Sequence, residues 1–136
     1  MGKYKGGCAC GAIRYDTNNE PAVQLHCQCL DCQKRSGTGH SSYLVFASRD
    51  GMTMSGEAKT WRLKGDSGEE KNHAFCPTCG APVYVSFVPN PDLIAVHATT
   101  LDDPSQFNPQ LVTYNSRGLA WDALDPSLHK FEKMPD

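Results

Sequence analysis

Seven cysteines fall into three tight clusters, and any fold this chain adopts has to bring those thiols to a common use. The clusters are Cys8-Ala9-Cys10, then Cys27-Gln28-Cys29-Leu30-Asp31-Cys32, then Cys76-Pro77-Thr78-Cys79. A disulfide framework wants an even count and an oxidising compartment. Here the count is odd, and Cys8/Cys10 and Cys27/Cys29 are each one residue apart, too close to bridge without severe strain. Metal ligation suits the spacing better. Two, three and two thiols can be dealt as a four-cysteine site and a three-cysteine site. The first is coordinatively closed and structural, and the second keeps a position open for water or substrate.

Cys76-Pro77-Thr78-Cys79-Gly80 has the form of a zinc knuckle, and Cys8-Ala9-Cys10-Gly11 carries the same trailing glycine. Glycine there permits positive φ and lets backbone N–H groups face the sulfurs. Pairing the two turns closes a site that ties the N-terminus to the middle of the chain, and it leaves Cys27, Cys29 and Cys32 as a three-thiolate face. Spacing also permits a different ribbon, Cys29/Cys32 with Cys76/Cys79, whose leftover cysteines are inert and buried.

The rest of the chain reads as short strands punctuated by turns. Ala12 to Tyr15, Val23 to His26, Tyr43 to Phe46, Thr60 to Leu63, Leu93 to Ala98 and Leu111 to Tyr114 have strand length or alternation. Val83, Val85 and Phe87 share one strand face. Asp16 to Asn19 reads as a turn and Glu69-Glu70-Lys71 as a solvated loop. One short helical turn is expected from Leu30 to Arg35, stopping at Ser36-Gly37. The expectation is a mainly β, single-domain fold over residues 1–136, of short and mostly antiparallel strands stapled by zinc. A formal charge of −2, with no basic tail, carries no electrostatic footprint for nucleic acid or an anionic membrane. No apolar stretch has membrane length and the N-terminus lacks a secretory pattern, so a cytoplasmic setting with reduced thiols is expected.

Three segments together resemble the glutathione-dependent formaldehyde-activating enzyme family, which also includes centromere protein V. They are Gly7-Cys8-Ala9-Cys10-Gly11 with Ile13-Arg14-Tyr15, His26-Cys27-Gln28-Cys29-Leu30-Asp31-Cys32-Gln33-Lys34-Arg35-Ser36-Gly37, and Phe75-Cys76-Pro77-Thr78-Cys79-Gly80. Thr100 to Pro104, Trp121 and the tail from Leu128 to Pro135 extend the likeness. The resemblance implies a β-tent fold and two Zn²⁺ ions. It places a structural zinc on Cys8, Cys10, Cys76 and Cys79, and a catalytic, more labile zinc on Cys27, Cys29 and Cys32. It also implies a carbon–sulfur lyase activity, formation of S-hydroxymethylglutathione from glutathione and formaldehyde. One departure stands out: His73 and Ala74 occupy the place where enzyme-like members would carry an arginine.

Three thiolates leave Zn²⁺ with a net charge of about −1, a centre suited to a soft fourth ligand. An incoming small thiol would be held as a nucleophilic thiolate beside a small aldehyde, forming a hemithioacetal, or cleaving one in reverse. The alternative is a non-catalytic zinc module, or a glutathione carrier, that binds a small thiol, a protein or a nucleic acid. For proton handling the candidates are His26, which alternation turns away from Cys27, His40 just after the trio, and His97, which reads as a core histidine. Lys34 and Arg35 could meet a carboxylate of the thiol or form an exposed helical turn. Trp61 and Trp121 are expected in the core or a pocket wall, and Tyr43 and Phe46 in the core.

Overall fold

A computed structural model describes residues 2–65 and 67–135. Its strands are β1 (Tyr4–Gly7), β2 (Arg14–Thr17), β3 (Val23–Cys27), β4 (Ser41–Phe46), β5 (Thr53–Ser55) and β6 (Lys59–Lys64). They continue with β7 (Glu70–Phe75), β8 (Pro82–Phe87), β9 (Asn90–His97), β10 (Leu111–Thr113) and β11 (His129–Lys130). A helix, α1 (Leu30–Ser36), joins β3 to β4. β1, β2 and β5 form a small sheet, and the others form a large one in the order β11-β10-β3-β4-β9-β8-β7-β6. Pairing is antiparallel except at β10, which runs parallel to both β3 and β11. The mainly β, mostly antiparallel expectation holds.

The large sheet is packed on both faces, and β4 shows why. Successive side chains of a strand point to opposite faces. Leu44 and Phe46 face one way, where they meet Ile94 and Val96 of β9, Tyr4 and Tyr15 of the small sheet, and Ile13 just before β2 in one core. The Tyr4 and Phe46 rings meet edge to face, 5.9 Å apart. Tyr43 and Val45 face the other way, toward Ala95, Val85 and the middle cysteine cluster. Tyr43 and Phe46 therefore both lie in the interior, on opposite sides of one sheet.

Several local expectations change. Thr17 is the last residue of β2 rather than part of a turn; it pairs with Tyr4 and is buried. The supposed loop at Glu69-Glu70-Lys71 gives way to β7 from Glu70 onward, because β6 and β8 supply backbone partners on both sides of a polar segment. Neither tryptophan is in the core: Trp61 and Trp121 are 58% and 69% exposed. Trp61 sits on the edge strand β6, where the Arg35 guanidinium lies 5.8 Å from its ring centre, a cation–π contact that needs no burial. Among the described residues no helix is long and apolar enough to cross a membrane.

Candidate metal centres and cavity

All seven cysteines are unbridged. The first and third clusters meet where the turns after β1 and β7 come together. The Sγ atoms of Cys8, Cys10, Cys76 and Cys79 all lie within 4.8 Å of one another. Cys8 to Cys10 and Cys10 to Cys76 are each 3.7 Å. A tetrahedron with Zn–S bonds of about 2.3 Å has edges of about 3.8 Å, so the donor set fits such an ion. Backbone N–H groups converge on the sulfurs: Ile13 N donates to Cys8 Sγ at 3.2 Å and Thr78 N to Cys76 Sγ at 3.4 Å. The Ile13 N–H draws the Cys8 thiol down to about 6. Gly11 and Gly80 hold φ of +84° and +78°, the left-handed turns that the trailing glycines predict.

Cys27, Cys29 and Cys32 form a second group, again with all Sγ atoms within 4.8 Å. Each arrives by a different device. Cys27 ends β3, pinned between Ser41 of β4 and Thr113 of β10. Cys29 is the N-cap of α1, and its sulfur accepts the Cys32 N–H at 3.3 Å. Cys32 lies in the first turn of the helix, 3.3 Å from the Tyr43 hydroxyl. All three are buried. Hydrogen bonds from Cys29 and Cys32, with a further one from Thr113, draw the Cys27 thiol down to about 3. The Cys32 thiol moves well up, because it donates to Cys27 and Cys29 and is itself buried. The Cys29 thiol also moves up, chiefly through its hydrogen bond to Cys27, so the trio holds one thiolate, at Cys27, supported by two neighbouring thiols.

The trio opens onto a cavity of about 390 Å³ over the inner face of the large sheet. Cys27 and Cys32 line one part, and Val45, Val85, Phe87 and Ala95 supply apolar wall. Tyr114 also lines it with φ of +56°, a strained left-handed conformation outside glycine. Met134 brings the C-terminal tail to the same cavity.

The histidines sort differently from expectation. His26 does turn away from the trio, bonding Ser42 Oγ at 2.8 Å and meeting the rings of His40 and Phe107. His40 does not line the cavity; its Nδ1 is held by the Asp122 carboxylate at 2.8 Å. His97 is buried with its ring 4.7 Å from that of Tyr43, as a core histidine would be. Lys34 and Arg35 line a separate cleft of about 260 Å³, together with His73 and His97. The residue that sequence reasoning missed is His73. It is 4% exposed, lines both the large cavity and this cleft, and neither ring nitrogen has a hydrogen-bond partner. Burial, then the charges of Lys71 and Arg35, push it down to about 4, so it is a neutral imidazole. The sequence marks position 73 only for the arginine it lacks; the usable signal was its place on a strand leading into the third cysteine pair.

Residues 3–117 match the family model described as glutathione-dependent formaldehyde-activating enzyme. The matched span holds every cysteine and ends before Trp121 and the Leu128 to Pro135 tail. Among solved structures, a crystal structure of a Rhodobacter sphaeroides protein is similar, with a TM-score of 0.59 and 22% identity. The likeness covers 80% of this chain and 99% of that one, and shows a shared fold.

Proposed function

The chain belongs to the glutathione-dependent formaldehyde-activating enzyme family, and from that premise we propose that it joins a small thiol to a small aldehyde at the Cys27, Cys29, Cys32 trio. The observation that carries the reading is the contrast between the two thiol groups. The quartet has a complete tetrahedral donor set. Among the described residues the trio has no fourth donor, and it borders a cavity large enough for a substrate. Cys8, Cys10, Cys76 and Cys79 would hold a structural zinc, and the trio a second, more labile one. When bound at the trio, zinc supplies one thing: it keeps an incoming thiol deprotonated near neutral pH.

The protein's own groups do the rest. Cys27, Cys29 and Cys32 fix the position of the incoming sulfur, and the Tyr43 and Thr113 hydroxyls orient the cysteine sulfurs. The apolar wall excludes water and sets the aldehyde carbon beside the sulfur. The reaction balances without another reagent. The sulfur attacks the carbonyl carbon, a C–S bond forms, the C=O π bond opens, and the thiol proton ends on the oxygen as the hemithioacetal hydroxyl. Run in reverse, the same steps make the protein a carbon–sulfur lyase. A cytoplasmic setting suits this chemistry, since the trio must stay reduced.

The test is zinc content by elemental analysis together with the rate of S-hydroxymethylglutathione formation above the uncatalysed background. Wild-type protein is expected to carry two zinc ions and to accelerate the reaction. Cys29→Ser should keep the structural zinc and lose the acceleration. If Cys29→Ser folds and turns over like wild type, the catalytic assignment is wrong; binding of glutathione with no acceleration would make the protein a carrier.

A further inference from the structure

The inner face of the large sheet carries a second hollow. Leu93 and Ala95 of β9 line the cavity beside the trio, and His97, next on the same face, does not. His97 instead lines two adjoining clefts of about 260 and 190 Å³, which share Arg35, Pro82 and His97. The helix α1 makes the division. Its Cys32 borders the cavity, while Lys34 and Arg35 in its last turn border the clefts. Among the described residues no cysteine lines either cleft, and of those that do only His73 also lines the cavity.

His97 sets a polar requirement there. It is 6% exposed, and its ring makes no hydrogen bond among the described residues. Its nitrogens, unlike the sealed pair of His73, stay within reach of a ligand in the clefts. Burial pushes it down to about 4, so it is a neutral imidazole with one N–H to donate. A buried polar group normally has a partner. The other lining groups point to the sign of that partner. Among the described residues no aspartate or glutamate lines either cleft, and Lys34 and Arg35 make no ion pair. The described contact of Arg35 is the face of the Trp61 ring. A guanidinium presents its N–H donors in a planar fork that matches an oxyanion. Two uncompensated cations beside a buried imidazole N–H make a site for negatively charged oxygen.

We propose that the two clefts form a second ligand site, separate from the trio, which takes a small molecule by its carboxylate or phosphate group and holds that oxyanion between Arg35, Lys34 and the His97 imidazole. The inference does not rest on the thiol–aldehyde reading. The occupant of the larger cavity meets hydrocarbon beside the cysteines, whereas the occupant here meets cations and the hydroxyls of Thr38 and Thr99.

The experiment titrates the zinc-loaded protein with inorganic phosphate and with succinate by calorimetry, at an ionic strength held constant with sodium chloride, and follows the histidine ring protons by NMR. At least one probe should bind wild type and shift the His97 signal, which is identified by its loss in His97→Phe; the probe that does so names the group the site prefers. Arg35→Gln should weaken that binding about tenfold or more, and His97→Phe about two- to tenfold. Arg35 lies on a half-exposed helical turn, so Arg35→Gln should melt with wild type and its loss of affinity reads the site rather than the fold. Cys29→Ser should bind the anion as wild type does, and 2-mercaptoethanol should not displace it. No binding of either probe, or binding that leaves the His97 signal in place or is indifferent to Arg35→Gln, overturns the inference. Loss of anion binding in Cys29→Ser, or displacement by 2-mercaptoethanol, assigns the anion to the trio and overturns it as well. The thiol–aldehyde reading stands through each of these results.

Discussion

Tyr43→Phe separates the two thiol groups by touching one of them through a single oxygen. Tyr43 is buried, and its hydroxyl lies 3.3 Å from Cys32 Sγ. Burial first, and then the neighbouring Cys32 group, push that hydroxyl well above its ordinary range, so it remains protonated and available to donate to Cys32 once that sulfur is a metal-bound thiolate. Phenylalanine keeps the ring against His97 and removes only the donor. A hydrogen bond to a charged acceptor contributes about 1.5–3 kcal/mol. With about 1.36 kcal/mol per factor of ten, that is about 10- to 100-fold in metal affinity, the range found when an outer partner of a metal ligand is lost. The quartet has no contact with Tyr43 among the described hydrogen bonds, so its zinc should be unaffected. The assay is chelator competition on the doubly loaded protein, read as two phases of zinc release. The weaker phase should move about 10- to 100-fold toward lower chelator while the tighter one stays in place. Equal movement of both phases would mean a general loosening of the fold. No movement of either would mean that the hydroxyl does not support Cys32, and the reasoning would fail.

Leu44→Ala acts on the opposite face of the same strand. Leu44 is fully buried in the core shared with the small sheet, so the substitution should cost about 2–5 kcal/mol in urea unfolding and leave thiol binding by the remaining folded protein unchanged. A pH dependence follows from His97, which burial pushes down to about 4 from 6.5. Between those values the unfolded chain binds a proton that the folded protein refuses, so its contribution to stability is full above about 6.5 and is lost as pH falls toward 4. Urea midpoints measured across that window should fall with pH, and less steeply in His97→Phe than in wild type.

What the sequence discloses and what it conceals divide along a physical line. The cysteine groups are legible because each ligand set is built from tight turns: a strand end, an N-cap and one helical turn place Cys27, Cys29 and Cys32 within six residues. Strands rich in branched or aromatic side chains, such as β4 and β8, are legible for the same local reason. β1 is not, since two of its four residues, Gly6 and Gly7, have no side chain to show a strand pattern. Their absent side chains answer to tertiary contact instead: a Cβ at Gly6 would stand 2.1 Å from the Thr100 carbonyl oxygen. β7 is polar in sequence and becomes a strand because neighbours on both sides complete its hydrogen bonds. The cavity is the extreme case. Its walls come from β3, β4, β7, β8 and β9 and from the tail at Met134, so no local pattern announces it. His73 draws its importance from that assembly, because the same imidazole on an exposed strand would find water for both nitrogens. Its lack of partners is created by the burial that the sheet imposes, and this is why a linear scan passes over it.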